Sequence, residues 1–155
     1  AESEPGEQVC VLETNLDDLS GEMIGYCTGR LWEAGALDVY TTAIQMKKNR
    51  PATQLSVLCH PQDAMALAGL LLRETPTLGV RHQVMSRSKA GREIRQVETP
   101  WGPVRVKIKT VAGQATAASP EYDDCARLAA AAGVPLHQVM TAAQQAAGHE
   151  APEKP

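Results

Sequence analysis

The chain has 155 residues, of which 43% are apolar and 21% charged, with a formal net charge of −3. That length bounds it to about one domain that can bury a core without staples, and no apolar run approaches the ~20 residues of a membrane span, so no membrane partner is expected. Aromatic residues make up only 3% and Phe is absent, so the core must be built from Ala, Val, Leu, Ile and Met, and the stacking platforms that hold single-stranded nucleic acid are lacking.

Ala1 to Gln8 is acidic and has no apolar run; it reads as a linker (residues 1–8) rather than a signal peptide. Val9 to Thr14 is apolar and β-branched and predicts a first strand. Asn15-Leu16-Asp17-Asp18 follows as a polar turn, and Ser20 is a good N-cap for a helix with Ile24, Cys27, Leu31 and Ala34 at helical spacing, stopped by Gly35. Leu37 to Ile44 predicts a second strand, Lys47-Lys48-Asn49-Arg50-Pro51 a loop, and Gln54 to Cys59 a third strand closing a hairpin. Pro61 suits the first turn of a second helix, whose apolar face is Ala64, Leu67, Ala68, Leu71 and Leu72. Thr77-Leu78-Gly79-Val80 leads into a fourth strand, around Val80 to Met85. The order is β-α-β-β-α-β, the ferredoxin-like split unit, so the fold class is α+β.

After a basic loop, Glu93 to Glu98 and Val104 to Val111 form an added β-hairpin around the turn Pro100-Trp101-Gly102-Pro103. Val104, Val106 and Ile108 alternate with Arg105, Lys107 and Lys109, so this strand buries one face and lines the other with cations. Gly113 to Ser119 is Ala-rich. Ser119-Pro120 opens a third helix carrying Cys125, Leu128, Ala129 and Ala132, stopped by Gly133. A fourth C-terminal helix runs from about Leu136, with Val139, Met140 and Ala143, to before Gly148. The expected domain covers residues 9–148, followed by a flexible polar tail over residues 149–155.

Cys10, Cys27, Cys59 and Cys125 show no CxxC pair; they read as small core side chains in a reducing, cytoplasmic setting. The net charge conceals an asymmetry. Residues 1–40 carry nine acidic side chains against Arg30 alone, a net of −8, whereas residues 81–109 carry eight bases against Glu93 and Glu98, a net of +6. Such poles can attract each other, or one can hold a cation and the other an anion.

Asp17 and Asp18 lie between a strand and a helix, where loops meet ligands in α/β structures. With Asn15, Glu13 or Glu22 they offer hard oxygen donors for a Mg²⁺ or Mn²⁺ that bridges phosphates; equally, acidic residues there complement the helix dipole. Lys47, Lys48 and Arg50 crowd one turn, either as a solvated hairpin or as a phosphate clamp. Arg87, Lys89 and Arg92 sit in a Gly-containing segment that could close over the same anion. Glu121, Asp123 and Asp124 fall in the first turn of a helix, which the dipole accounts for. Cys59 and His60 are adjacent in a strand and point to opposite faces, core and surface.

Glu13-Thr14-Asn15-Leu16-Asp17-Asp18, Gly21-Glu22 and Gly25-Tyr26 resemble the opening of the C-terminal domain of the LarC family of nickel insertion proteins. Gly35-Ala36-Leu37-Asp38-Val39, Met46-Lys47-Lys48-Asn49-Arg50-Pro51, Glu74-Thr75 with Leu78-Gly79-Val80-Arg81, and Pro120-Glu121-Tyr122-Asp123-Asp124-Cys125 continue the resemblance in order, from about Val9 to Gly148. Two stretches depart from the family pattern: Thr42-Ala43-Ile44 replaces the usual Thr-Pro-Ile, and no basic residue precedes Pro120-Glu121.

The resemblance implies a CTP-dependent cyclometallase that places nickel into pyridinium-3,5-bisthiocarboxylic acid mononucleotide, completing the nickel-pincer cofactor of lactate racemase. CTP is hydrolysed to CMP and pyrophosphate with Mg²⁺ or Mn²⁺, and nickel is the inserted substrate metal, captured by sulfur and carbon of the pyridinium compound. Family members have an N-terminal region outside this chain, which makes this the nucleotide-binding part of a longer protein. On this reading Asp17 and Asp18, assisted by Glu22, hold the divalent ion and carry the catalysis. Lys47, Lys48 and Arg50, with Arg81, Arg87 and Arg92, bind the phosphates. Exposed strand edges favour a homo-oligomer. The rival class is a non-enzymatic, ferredoxin-like module that senses a small ligand. RNA binding through Arg105, Lys107 and Lys109 is a weaker third reading, and nucleic acid is not an expected partner.

Overall fold

The computed structural model describes residues 7–149, which divide between Lys89 and Ala90 into two compact units. The first unit has four strands and two helices: β1 (Glu7–Leu16), α1 (Gly21–Glu33), β2 (Asp38–Met46), β3 (Arg50–Cys59), α2 (Ala64–Glu74) and β4 (Arg81–Arg87). The strands form one antiparallel sheet in the order β2-β3-β1-β4. Each helix therefore connects two strands that have a third between them, the split arrangement expected from the order of elements.

Alternation along the central strands explains which face is covered. Cys10, Leu12, Thr14 and Leu16 of β1 are buried, and Leu12 pairs with Val57 and Thr14 with Leu55 of β3. This face packs with Cys27 and Leu31 of α1 and with Leu67 and Leu71 of α2 in one apolar cluster. Ser20 caps α1 as expected, its hydroxyl accepting from the Met23 N–H at 3.3 Å. Pro61 opens a separate 3₁₀ turn, Pro61–Asp63, rather than the first turn of α2. Leu72, expected on the apolar face of α2, is exposed, and Leu70 is buried in its place.

The second unit is a three-stranded antiparallel sheet followed by two helices: β5 (Gly91–Thr99), β6 (Gly102–Val111), β7 (Gln114–Pro120), α3 (Tyr122–Ala132) and α4 (Leu136–His149). The added hairpin thus acquires a third strand. Gln114-Ala115-Thr116-Ala117-Ala118-Ser119-Pro120 has poor β-propensity. It forms a strand because the free edge of β6 offers unpaired backbone groups, and the register shifts between Lys109 and Thr110. Ser119-Pro120 therefore ends β7 instead of capping α3, whose N-cap residue is Glu121. Gly133 stops α3 at φ 65, as expected, while α4 continues through Gly148 to His149. Val97, Val104, Val106 and Ile108 pack with Cys125, Leu128, Val139 and Ala143 in a second apolar cluster.

The expected linker and tail lie outside the described residues, apart from the two residues that begin β1 and the one that ends α4. Among the described residues no helix is long and apolar enough to cross a membrane.

Candidate functional site

β1 ends at Leu16, and Asp17 and Asp18 follow directly, before α1 begins at Gly21. The β2–β3 hairpin reaches the same end of the sheet. Its turn holds Lys47 and Lys48, with Lys48 and Asn49 both at positive φ (60° and 57°), and Arg50 is the first residue of β3. The Arg50 Nη1 donates to Asp17 Oδ2 at 3.3 Å, joining the basic turn to the acidic loop. Asp17 is half-buried and Asp18 exposed.

Arg81 completes this end from the other side. It is the first residue of β4 and stands opposite Glu13 in the β1–β4 register. Its Nη2 donates to Asn15 Oδ1 at 2.8 Å and lies 3.6 Å from Glu13 Oε2. Glu13 also accepts from Gln54 Nε2 at 2.9 Å. Asn15, Glu13 and Asp17 thus all accept from neighbouring arginine or glutamine donors, while Asp18 is exposed.

This end of the sheet holds a cleft of about 440 Å³ lined by Asp17, Asp18, Arg81, Met46 and the loop Pro76–Gly79. The loop between α2 and β4 is held by hydroxyl groups. Thr75 Oγ1 donates to Leu71 O at 2.7 Å, and Thr77 Oγ1 donates to Gly79 O at 3.0 Å while sharing a hydrogen bond with the buried Thr14 hydroxyl. Thr14 is 1% exposed, so its hydroxyl must find partners, and this loop supplies them.

Not every expected site residue comes to this end. The β1–β4 register places Arg87 opposite Glu7 and Arg81 opposite Glu13, six residues or roughly 20 Å apart along the strand. At the far end, Arg87 Nη2 and Lys89 Nζ lie 2.7 and 3.0 Å from Glu7 Oε2, and together they hold that carboxyl below its ordinary range. Arg92 belongs to the second unit, in β5. Glu22 is exposed in the first turn of α1 and does not line the cleft. Among the described residues no three His, Cys, Asp or Glu side chains converge in the manner of a complete metal cage. The two charge poles of the sequence meet partly as ion pairs, Glu7 with Arg87 and Glu13 with Arg81.

The sequence reading passed over Met46, Pro76, Thr77 and Leu78 as parts of a site. Thr75-Pro76-Thr77 was their available signal, since hydroxyl side chains around a proline mark a structured turn. In the second unit, Asp124 does more than complement a helix dipole. It accepts from the Arg105 N–H at 3.0 Å and from Arg105 Nε at 2.8 Å, and the arginine holds its carboxyl down at about 2.

A family model described as "Nickel insertion protein" matches residues 1–140. A putative nickel insertion protein of Pelobacter propionicus is 45% identical over 144 residues, covering 93% of this chain and 37% of the relative. The pyridinium-3,5-bisthiocarboxylic acid mononucleotide nickel insertion protein of Acetivibrio thermocellus is 41% identical over 140 residues, covering 90% of this chain and 34% of the relative. The chain therefore spans about a third of the length of these curated relatives. Among solved structures, the apo form of LarC2, the C-terminal domain of a cyclometallase involved in the synthesis of the NPN cofactor of lactate racemase, superposes with a TM-score of 0.88. It shares 44% sequence identity, with 92% of this chain and 99% of that one covered. Protein MK0293 from Methanopyrus kandleri superposes at 0.68 with 26% identity, covering 92% of this chain and 86% of that one.

Proposed function

The chain belongs to the nickel insertion protein family as the counterpart of its C-terminal domain, and from that premise we propose that its cleft binds CTP with a divalent cation in the service of nickel insertion. The substrate receiving the nickel is a pyridinium-3,5-bisthiocarboxylic acid mononucleotide, by analogy with the Acetivibrio thermocellus relative. Nickel itself is the metal delivered. The observation that carries the reading is a cleft lined by Asp17, Asp18 and Arg81, with Arg50 of the adjoining turn bonded to Asp17 from outside that lining.

The donor set fits Mg²⁺ or Mn²⁺. Both ions prefer oxygen ligands and are commonly held by one or two carboxylates, with the remaining positions taken by phosphate oxygens and water. Asp17 and Asp18 supply the carboxylates, whereas the four cysteines are all buried and offer no thiolate to the cleft. Held by Asp17 and Asp18, the ion would neutralise triphosphate charge and make the phosphorus more open to water as CTP is hydrolysed to CMP and pyrophosphate.

The chain's own groups do the rest. Arg50 is the exchangeable member: its pair with Asp17 is 53% exposed on the arginine side, and such pairs contribute only about 0–1 kcal/mol. Arg50 can therefore leave Asp17 to the cation and turn to a phosphate oxygen. Lys47 and Lys48 add point charges from the adjoining turn, and Arg81 holds the opposite wall.

Complete nickel insertion requires the remainder of the longer protein, and the two free edges of the first sheet, β2 and β4, favour self-association. Four unpaired thiols suit a reducing cytoplasm. The test is calorimetric titration of the purified chain with CTP in Mn²⁺ or in chelator, with pyrophosphate release followed in parallel. Binding that requires the cation is expected; binding unchanged by chelator, or none with Mn²⁺, overturns the reading.

A further inference from the structure

Leu78 is the most exposed large apolar residue among those described, at 102%, with Met65 next at 76%. A fully solvated leucine on a loose loop would mean little, but this loop is not loose. Thr77 N–H donates to Thr75 Oγ1 at 3.3 Å, Gly79 N–H donates to Thr77 Oγ1 at 3.4 Å, and Gly79 O lies 3.2 Å from Thr14 Oγ1. The residues on either side of Leu78 are thereby fixed to a buried hydroxyl of β1. Leu78 is held out in water at the rim of the cleft by bonds that leave its side chain without a protein surface to cover.

The cleft is also mixed in chemistry: Asp17, Asp18 and Arg81 are charged, while Met46, Pro76 and Leu78 are apolar. None of the lining residues is aromatic. A triphosphate–metal complex satisfies only the charged residues of this lining. A ligand that also covers Leu78 must carry an uncharged, flat or apolar portion attached to its phosphates, as a nucleotide does.

We propose that Leu78 forms the surface against which the ring of the bound nucleotide packs, so that preference for a nucleotide over bare triphosphate is set by this loop. The inference rests on the reading of the cleft as a CTP–metal site. Aliphatic side chains can cover the face of a base through dispersion and burial alone. They do so without distinguishing one base from another by hydrogen bonds, so Leu78 contributes affinity for a ring rather than for cytosine in particular.

The experiment compares CTP with inorganic tripolyphosphate, both titrated in Mn²⁺ into the wild-type chain, Leu78→Ala and Leu78→Met, with particle size measured by sedimentation. The expected result is CTP binding weakened about tenfold in Leu78→Ala, as for loss of one aliphatic contact surface, with tripolyphosphate unchanged and Leu78→Met close to wild type. Equal losses for both ligands, or no loss for CTP, overturn the proposal. A fall in particle size with an unchanged ratio of the two affinities also overturns it, and assigns Leu78 to a contact between copies. A wild-type chain that binds neither ligand overturns the underlying reading of the cleft, a result distinct from failure of the Leu78 contact alone.

Discussion

Arg50 and Asp17 are 33 positions apart in the chain and 3.3 Å apart in the fold. The pair exists because β3 pairs with β1 in an antiparallel register that sets Thr53 opposite Leu16, leaving Arg50 to project beyond the end of β1 where the acidic loop begins. The acidic loop and the basic turn are thereby brought to one end of the sheet, and a cation of the turn occupies the carboxylate that a metal ion would need.

The basic turn is expected to read phosphate. Arg50→Ala and Lys47→Ala should each weaken CTP by about tenfold or more, the scale of a charge-assisted contact, while leaving the weak binding of cytidine unaltered. Calorimetry with both ligands checks this; equal losses would show that the turn contributes nothing specific to phosphate.

Acid should loosen the second unit in a defined window. The Asp124 carboxyl titrates at about 2 in the folded chain against an ordinary value of 3.8, because Arg105 donates to it from both side chain and backbone. The folded state therefore binds fewer protons than the unfolded state between those values, and stability rises with pH there. The contribution is present above the ordinary carboxylate range and is lost as pH falls from about 4 toward 2. Trp101, packed at the second core, reports this unfolding by fluorescence in a Trp32→Tyr background. Asp124→Asn should weaken the dependence in that window, leaving the smaller part carried by Glu93, whose carboxyl Arg95 also holds down.

Leu31 is fully buried against the first sheet. Leu31→Ala should cost about 2–5 kcal/mol, the range for a truncated core leucine that leaves a cavity. Urea unfolding measures it. A loss below about 1 kcal/mol would contradict the packing of α1 described above.

The four thiols should be inert while the chain is folded. All are buried, and burial pushes the Cys59 thiol up to about 11, so little thiolate is present at neutral pH. A chromogenic disulfide reagent should titrate none of them in native conditions and all four in denaturant.

Much of the first unit was legible in the sequence because its signals are local: β-branched runs, Ser20 before a helical period, Gly35 and the turn at Lys47–Arg50. The acidic loop and the basic turn were legible for the same reason. β7 was not, since Ala-rich residues carry no strand signal and the edge of β6 decides their state. Nor could spacing show that Arg81 and Arg87, near neighbours in sequence, lie at opposite ends of one strand; that depends on the register of β4 against β1. Leu78 was hidden inside a stretch that reads as the approach to a strand. Its role emerges only with the buried Thr14 hydroxyl that ties the loop in place.

The central claim, that the acidic loop holds the divalent ion of a CTP complex, is tested most directly by titrating CTP into wild-type chain and Asp17→Asn, each with and without Mn²⁺. Because the Arg50–Asp17 pair is solvent-facing and contributes about 0–1 kcal/mol, the variant should retain its fold and unfolding midpoint. The account predicts that Mn²⁺ strengthens CTP binding in the wild type and has no effect in Asp17→Asn. An equal response to Mn²⁺ in both proteins would contradict it.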